Sequence, residues 1–144
     1  MRHLLFLSFI IFNISANSQT AWTWTELDTM PFKISNNAVS DALIGGERYV
    51  FSFGGIDQTK LYSGITQNSY KYEVSTGTWS SISPLPSLNT NIAAGASTVK
   101  NKIYIIGGYH VYANGSELSS NEVIIYNPTT NTYEPNGNDI PIPI

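Results

Sequence analysis

Cysteine is absent from all 144 residues, so no disulfide can staple this fold, and thiolate catalysis and Cys-ligated metal centres are excluded. Charge is also scarce: Asp, Glu, Lys and Arg together make up 12% of the chain, and its seven Lys and Arg residues are scattered. No basic stripe exists to track a phosphate backbone, which argues against nucleic acid as a partner. Histidine occurs only at positions 3 and 110. A histidine metal site or a Ser/His/Asp triad therefore has His110 as its one candidate beyond the first residues, with no second member in view. Neither a metal nor a cofactor is expected. What is present is 42% hydrophobic and 12% aromatic residues against a background of Asn, Ser, Thr and Gly, a composition suited to short strands joined by turns.

The start of the chain reads differently from the rest. Met1-Arg2-His3 is a short basic opening, an apolar run covers 4–14, and Ala16-Asn17-Ser18 follows. That is the layout of a secretory signal peptide, with cleavage expected after Ser18. The run is shorter than the ~20 residues that a membrane-spanning helix needs, so no membrane association is expected after cleavage. Export to the periplasm, the cell surface or the medium is expected. Removal of 1–18 takes Arg2 and no acid, leaving six of the seven basic residues against ten acidic ones, a mild net negative charge.

The rest of the chain repeats. The run Tyr49-Val50-Phe51-Ser52-Phe53-Gly54-Gly55 answers to Ile103-Tyr104-Ile105-Ile106-Gly107-Gly108, a step of 53 from Gly54 to Gly107. Tyr72, Thr76, Gly77, Thr78 and Trp79 answer to Tyr126, Thr130, Asn131, Thr132 and Tyr133 at a step of 54. Trp24, Trp79 and Tyr133 mark a third register, and Pro31, Pro86 and Pro141 a fourth, each proline preceded by an apolar residue (Met30, Leu85, Ile140). Each unit holds four strand candidates bounded by turn residues. In the second unit these are 92–99, 102–106, 123–126 and a strand starting near Tyr133, with turns at Asn101-Lys102 and over 128–131. The run Tyr104-Ile105-Ile106 is apolar on successive residues, so both faces of its sheet call for cover, as when small sheets stack.

These residues resemble the kelch-repeat family, whose blade signature is an apolar strand ending in a glycine pair, then a Tyr, a turn with Thr, and a Trp. The period of about 50 residues is that of kelch propeller blades. The resemblance spans roughly 22–141 and implies an all-β, kelch-type β-propeller. It implies that Gly54-Gly55 and Gly107-Gly108 permit close backbone approach. It also implies that the aromatic at Trp79 or Tyr133 packs between blades, contributing on the order of 4 to 6 kcal/mol before entropy. Two departures stand out. Tyr133 replaces the Trp, and Asn36-Asn37 and residues 89–91 stand where many members carry an Arg, so ligand sites built on those arginines are not carried over.

At a step of 54, the residues after position 18 make about 2.3 repeats, whereas a closed propeller takes at least four blades, on the order of 216 residues. About two four-stranded blades of an incomplete ring are expected, divided as signal peptide 1–18, closing strand and linker 19–36, blade 37–90 and blade 91–144. In rings of this kind a first strand such as 22–27 closes the circle by joining the last blade. The remaining blades would come from a longer chain or from other copies.

Ligands of closed rings meet the loops at a channel mouth, so the long connections 56–69 and 109–121 are the candidate binding segments. They offer Asp57, Lys60 and Tyr62 in the first and Tyr109, His110, Tyr112 and Glu117 in the second, aromatics with a few polar groups, as a sugar-binding surface needs. Asn114-Gly115-Ser116 fits a glycosylation sequon and equally a turn. Copper-radical oxidases on this fold require a cysteine-modified tyrosine, which this chain cannot supply. The stretches 49–51, 64–68 and 70–72 also resemble the kelch-type sialic acid mutarotases/epimerases, whose acid/base groups would be carboxylates or an Arg in the channel; no catalytic residue here can be matched to them. The leading expectation is a non-catalytic binding module for carbohydrate or protein. An N-acetylneuraminate mutarotase/epimerase-like isomerase is the alternative, and an inactive fragment the third reading.

Overall fold

The computed structural model describes residues 22–86, 92–135 and 138–144. Two antiparallel four-stranded meanders dominate. The first sheet orders β2 (Ala38–Ile44), β3 (Glu47–Phe53), β5 (Ser69–Glu73) and β6 (Thr78–Ile82) from its inner edge outward. The second does the same with β7 (Gly95–Val99), β8 (Lys102–Ile106), β11 (Val123–Asn127) and β12 (Thr132–Tyr133). The all-β architecture of two four-stranded blades expected from the repeat is what the structure has.

The inner hairpins turn on residues of positive φ. Gly45 and Gly46 have φ of 61° and 93°, Lys100 and Asn101 of 48° and 59°. Two successive positive-φ residues give the tight reversal that suits the right-handed twist of paired strands. The second turn is therefore centred one residue earlier than the Asn101-Lys102 step expected from sequence.

Strand periodicity then decides which side chains meet. In the first blade the face carrying Ala38, Ala42, Phe51, Phe53 and Ile82 turns toward the second blade. There it meets Ile103, Ile105, Ile124 and Tyr126, with Tyr133 packed at the margin. The Phe51 and Tyr126 rings lie 5.7 Å apart and Phe53 and Tyr126 5.2 Å, the latter edge to face, which is the favourable arrangement for aromatic quadrupoles. Polar groups seal the rim of this seam. The Thr98 hydroxyl donates to the Asp41 carbonyl at 2.5 Å and so accepts from Ser40 Oγ at 2.8 Å. Asn101 accepts from the Leu43 N–H at 2.9 Å and donates to the Leu43 carbonyl at 2.8 Å. Both contacts link residues 58 apart, so β2 and β7 run side by side in the same direction.

The glycine pairs act as expected. A Cβ on Gly55 would lie 2.7 Å from the Ser35 carbonyl oxygen, and one on Gly108 2.6 Å from that of Ile92. In each blade the chain entering the innermost strand crosses the end of the second strand at that point, and only a residue without a side chain leaves room.

Three expectations need correction. Residues 22–27, anticipated as a strand, form none: they have no ladder partner among the described residues, and Trp24 is 97% exposed. An isolated extended segment has nothing to satisfy its backbone groups except water. Second, the two aromatics of the repeat differ in setting. Tyr133 packs into the seam, whereas Trp79, paired with Tyr72, lies on the opposite face of its sheet. Its indole N–H donates to the Asp28 carbonyl at 3.2 Å, so the chain 28–32 provides cover there. Third, Tyr104 and Ile106 on the outer face of the second blade are only partly buried, while Ile105 on the seam face is buried; one side of that apolar strand is fully covered.

Candidate functional site

Antiparallel order places the start of β2, the end of β3, the start of β5 and the end of β6 at one end of the first blade. Because β2 and β7 run parallel to each other, the corresponding ends of the second blade lie at that same end. Both long connections therefore emerge at that end, and each carries regular structure of its own. In the first, β4 (Ile56–Asp57) pairs with β1 (Ile34–Ser35), and a single 3-10 turn covers Tyr62–Gly64. In the second, β9 (Tyr109–Val111) pairs with β10 (Glu117–Ser119) as a hairpin.

Asp57 organises the first connection. Its Oδ1 accepts from the Thr59 N–H at 2.9 Å and the Thr59 hydroxyl at 2.5 Å. These bonds, with the Lys60 charge nearby, hold its carboxyl below the usual carboxylate range, so it is an ionised acceptor at neutral pH. The carboxylate packs closely on Gly64, where a Cβ would sit 2.1 Å from Oδ1. The Lys60 ammonium donates to Ser35 Oγ, fastening the loop to the chain that enters the blade.

Between this loop and residues 31–34 lies a cleft of about 530 Å³, within the 300 to 1,000 Å³ span of small-molecule sites. Phe32 and Tyr70 form its aromatic wall, with ring centroids 5.5 Å apart. Asp57, Ser63, Thr66, Asn68 and Lys33 supply polar groups. Phe32 remains 56% exposed although its ring packs against Tyr70. Burial raises the Tyr70 phenol above its ordinary range, which keeps it protonated. A smaller cleft of about 320 Å³ adjoins, lined by Asp57, Lys60 and Lys33 among others.

The seven loop residues singled out from sequence are thus divided. Asp57 belongs to both clefts and Lys60 to the second. Tyr62 sits exposed on the 3-10 turn. Tyr109, His110 and Glu117 are ladder residues of the second blade's hairpin, opposite Ser119, Leu118 and Val111, and Tyr112 is at its exposed tip; none of these four lines a cleft described here. His110 Nδ1 is buried without a hydrogen-bond partner among the described residues. Asn114 is a turn residue, its Oδ1 accepting from the Ser116 N–H and hydroxyl at 3.0 and 2.7 Å. Sequence reasoning missed Phe32, which lay in a presumed linker, and Tyr70, which reads as a strand residue. The proline before Phe32, in register with Pro86 and Pro141, was the available signal.

Two stacked four-stranded meanders with parallel inner strands and a glycine pair at each second strand define blades of a β-propeller. A family model described as the Kelch motif matches residues 93–135, the segment holding the second sheet. Its fold is similar to that of the solved structure of YjhT, with a TM-score of 0.58 and 18% sequence identity. That match covers 82% of this chain and 31% of the YjhT chain, so the chain spans less than a third of that relative. No curated protein matches the sequence.

Proposed function

We propose that this chain forms part of an exported kelch propeller that binds a carbohydrate or protein ligand at the end where the long connections emerge. The observation that carries the reading is the cleft at that end, where a half-exposed aromatic ring and an ionised, pre-oriented carboxylate converge. Export rests on the basic, apolar and small-residue pattern of 1–18, which lies outside the described residues. A saccharide array probed with the protein tests the reading: retention of a glycan class, abolished when Asp57 and Phe32 are substituted together, supports it. Absence of binding to glycans and to extracellular proteins from the same source overturns it.

A second reading is a sialic acid mutarotase/epimerase-like activity. It is favoured by one observation: the stretch resembling that family supplies Gly64, Ile65, Thr66 and Asn68 to the cleft wall. Following the anomeric protons of N-acetylneuraminate by NMR decides it. Acceleration of anomer exchange over buffer is the expected result under this reading, and an unchanged rate removes it.

A further inference from the structure

We propose that the Phe32 cleft is a subsite for one neutral pyranose ring, with Phe32 as stacking platform and Asp57 as acceptor for vicinal hydroxyls. This deepens the binding-module reading and rests on it. The argument begins with Phe32. A phenylalanine beside a folded sheet gains most by burying its ring entirely, yet here the ring packs on Tyr70 and still stays 56% exposed in the cleft. An apolar ring face held in place by a second aromatic suits the C–H face of a pyranose, which is flat, apolar on one side and rimmed by hydroxyls. The ring is also pre-positioned, which lowers the entropic cost of binding.

The rim chemistry is complementary. Asp57 is fixed through Oδ1 by Thr59, so its carboxylate is oriented without waiting for ligand. Among the described residues no hydrogen bond engages Oδ2, leaving an ionised acceptor for hydroxyl donors, and bonds to charged acceptors are the stronger ones. Tyr70 is kept protonated by burial. Ser63 and Thr66 in the lining offer hydroxyls that can donate or accept, and Asn68 an amide that does both. An ionised carboxylate in the cleft lining selects against an acidic sugar, whose own carboxylate would be repelled there. Lys33 at the margin is the opposing charge that an acidic sugar would have to use instead.

The test is saturation-transfer and titration NMR on the protein, with methyl β-D-galactopyranoside, methyl α-D-glucopyranoside and methyl α-D-mannopyranoside as probes and N-acetylneuraminate alongside. At least one neutral glycoside is expected to show transfer strongest at the ring C–H protons of one face. Phe32→Ala should weaken its binding about tenfold, and Asp57→Asn by a similar or larger factor. Phe32→Trp should retain it, which separates loss of the platform from loss of fold. Binding of N-acetylneuraminate alone, neutral-glycoside binding indifferent to Phe32→Ala, or no transfer to any neutral glycoside each overturns the subsite. A protein that fails here while retaining glycans on the array, or a protein ligand, still binds at the loop end, so the two readings fail separately.

Discussion

The two blades share strands, glycine pairs and hairpin geometry, but they differ at the turns that face their neighbours. In the second blade, the inner and outer hairpins carry Asn101 and Asn131. Asn101 grips both backbone groups of Leu43. Asn131 accepts from the Ser83 N–H at 2.9 Å, and its carbonyl receives the Ser83 hydroxyl at 2.7 Å. At the matching places the first blade has Gly46 and Gly77, both with positive φ but with no side chain to reach anything. Asparagine is the residue that can accept the left-handed conformation and still offer an amide. At these two turns the amide side chains come from the second blade, while the first blade contributes backbone groups and the Ser83 hydroxyl.

That asymmetry rests on an apolar interior to which both blades contribute, and the largest expected effect is there. Phe51, fully buried against Phe53 and Tyr126, should cost about 3 to 5 kcal/mol as Phe51→Ala. Leu43→Ala, at an exposed position of the same sheet's opposite face, should cost well under half as much. Denaturant unfolding of both variants checks this. Equal losses would mean that the seam is no more a core than the outer face, and the contrast between faces would collapse.

The next effect is a pH dependence centred on the second blade. Burial pushes the Tyr126 phenol up to about 12 from an ordinary value of 10.0, and Tyr133 is raised as well by the same cause. A folded-state value above the unfolded one means that the folded protein holds its proton more tightly. Stability from this source is complete below pH 10 and is lost as pH rises from there through about 12. Circular dichroism with phenolate absorbance across that range should show unfolding and ionisation together. Tyr126→Phe, which gives up the bond to Asn131 at 2.8 Å, should be less stable at neutral pH and show a shallower alkaline loss. Phenolate appearing with the sheet signal intact would show that the seam admits water.

How much of this was legible in the sequence follows from what a repeat can encode. Period and strand order were readable because Gly54-Gly55, Tyr72 and Trp79 recur at Gly107-Gly108, Tyr126 and Tyr133, and those positions hold the same backbone place in both sheets. The matched bonds Leu85 N–H to the Gln67 carbonyl and Ile140 N–H to the Asn121 carbonyl explain why the proline register persisted: it marks where the chain leaves the outer strand and crosses the loop end. The cleft was legible only through Asp57. Phe32 is brought to Tyr70 by the pairing of β1 with β4, a contact between residues far apart in sequence that no local pattern announces. The strand expected at 22–27 failed for the converse reason, since alternating Trp and Thr describe a strand's preference but cannot supply its partner.

The smallest effect bears most directly on the difference between the blades. Asn101→Gly gives the second blade the first blade's turn, keeps the positive φ at no steric expense, and removes two partly solvated hydrogen bonds, for a loss of about 1 to 2 kcal/mol. The reciprocal Gly46→Asn adds a side chain where a Cβ meets nothing within 4 Å, at a φ of 93° that Asn tolerates better than other residues with a Cβ. It should change stability by no more than about 0.5 kcal/mol. Differential scanning calorimetry of the pair separates two accounts of the seam. A clear loss for Asn101→Gly beside a silent Gly46→Asn means that the amide bonds matter and are directional. If Asn101→Gly is as silent as its counterpart, the Asn101 amide adds nothing to the seam beyond its apolar packing and its other polar contacts, and Asn101 serves only to shape the turn in which it sits.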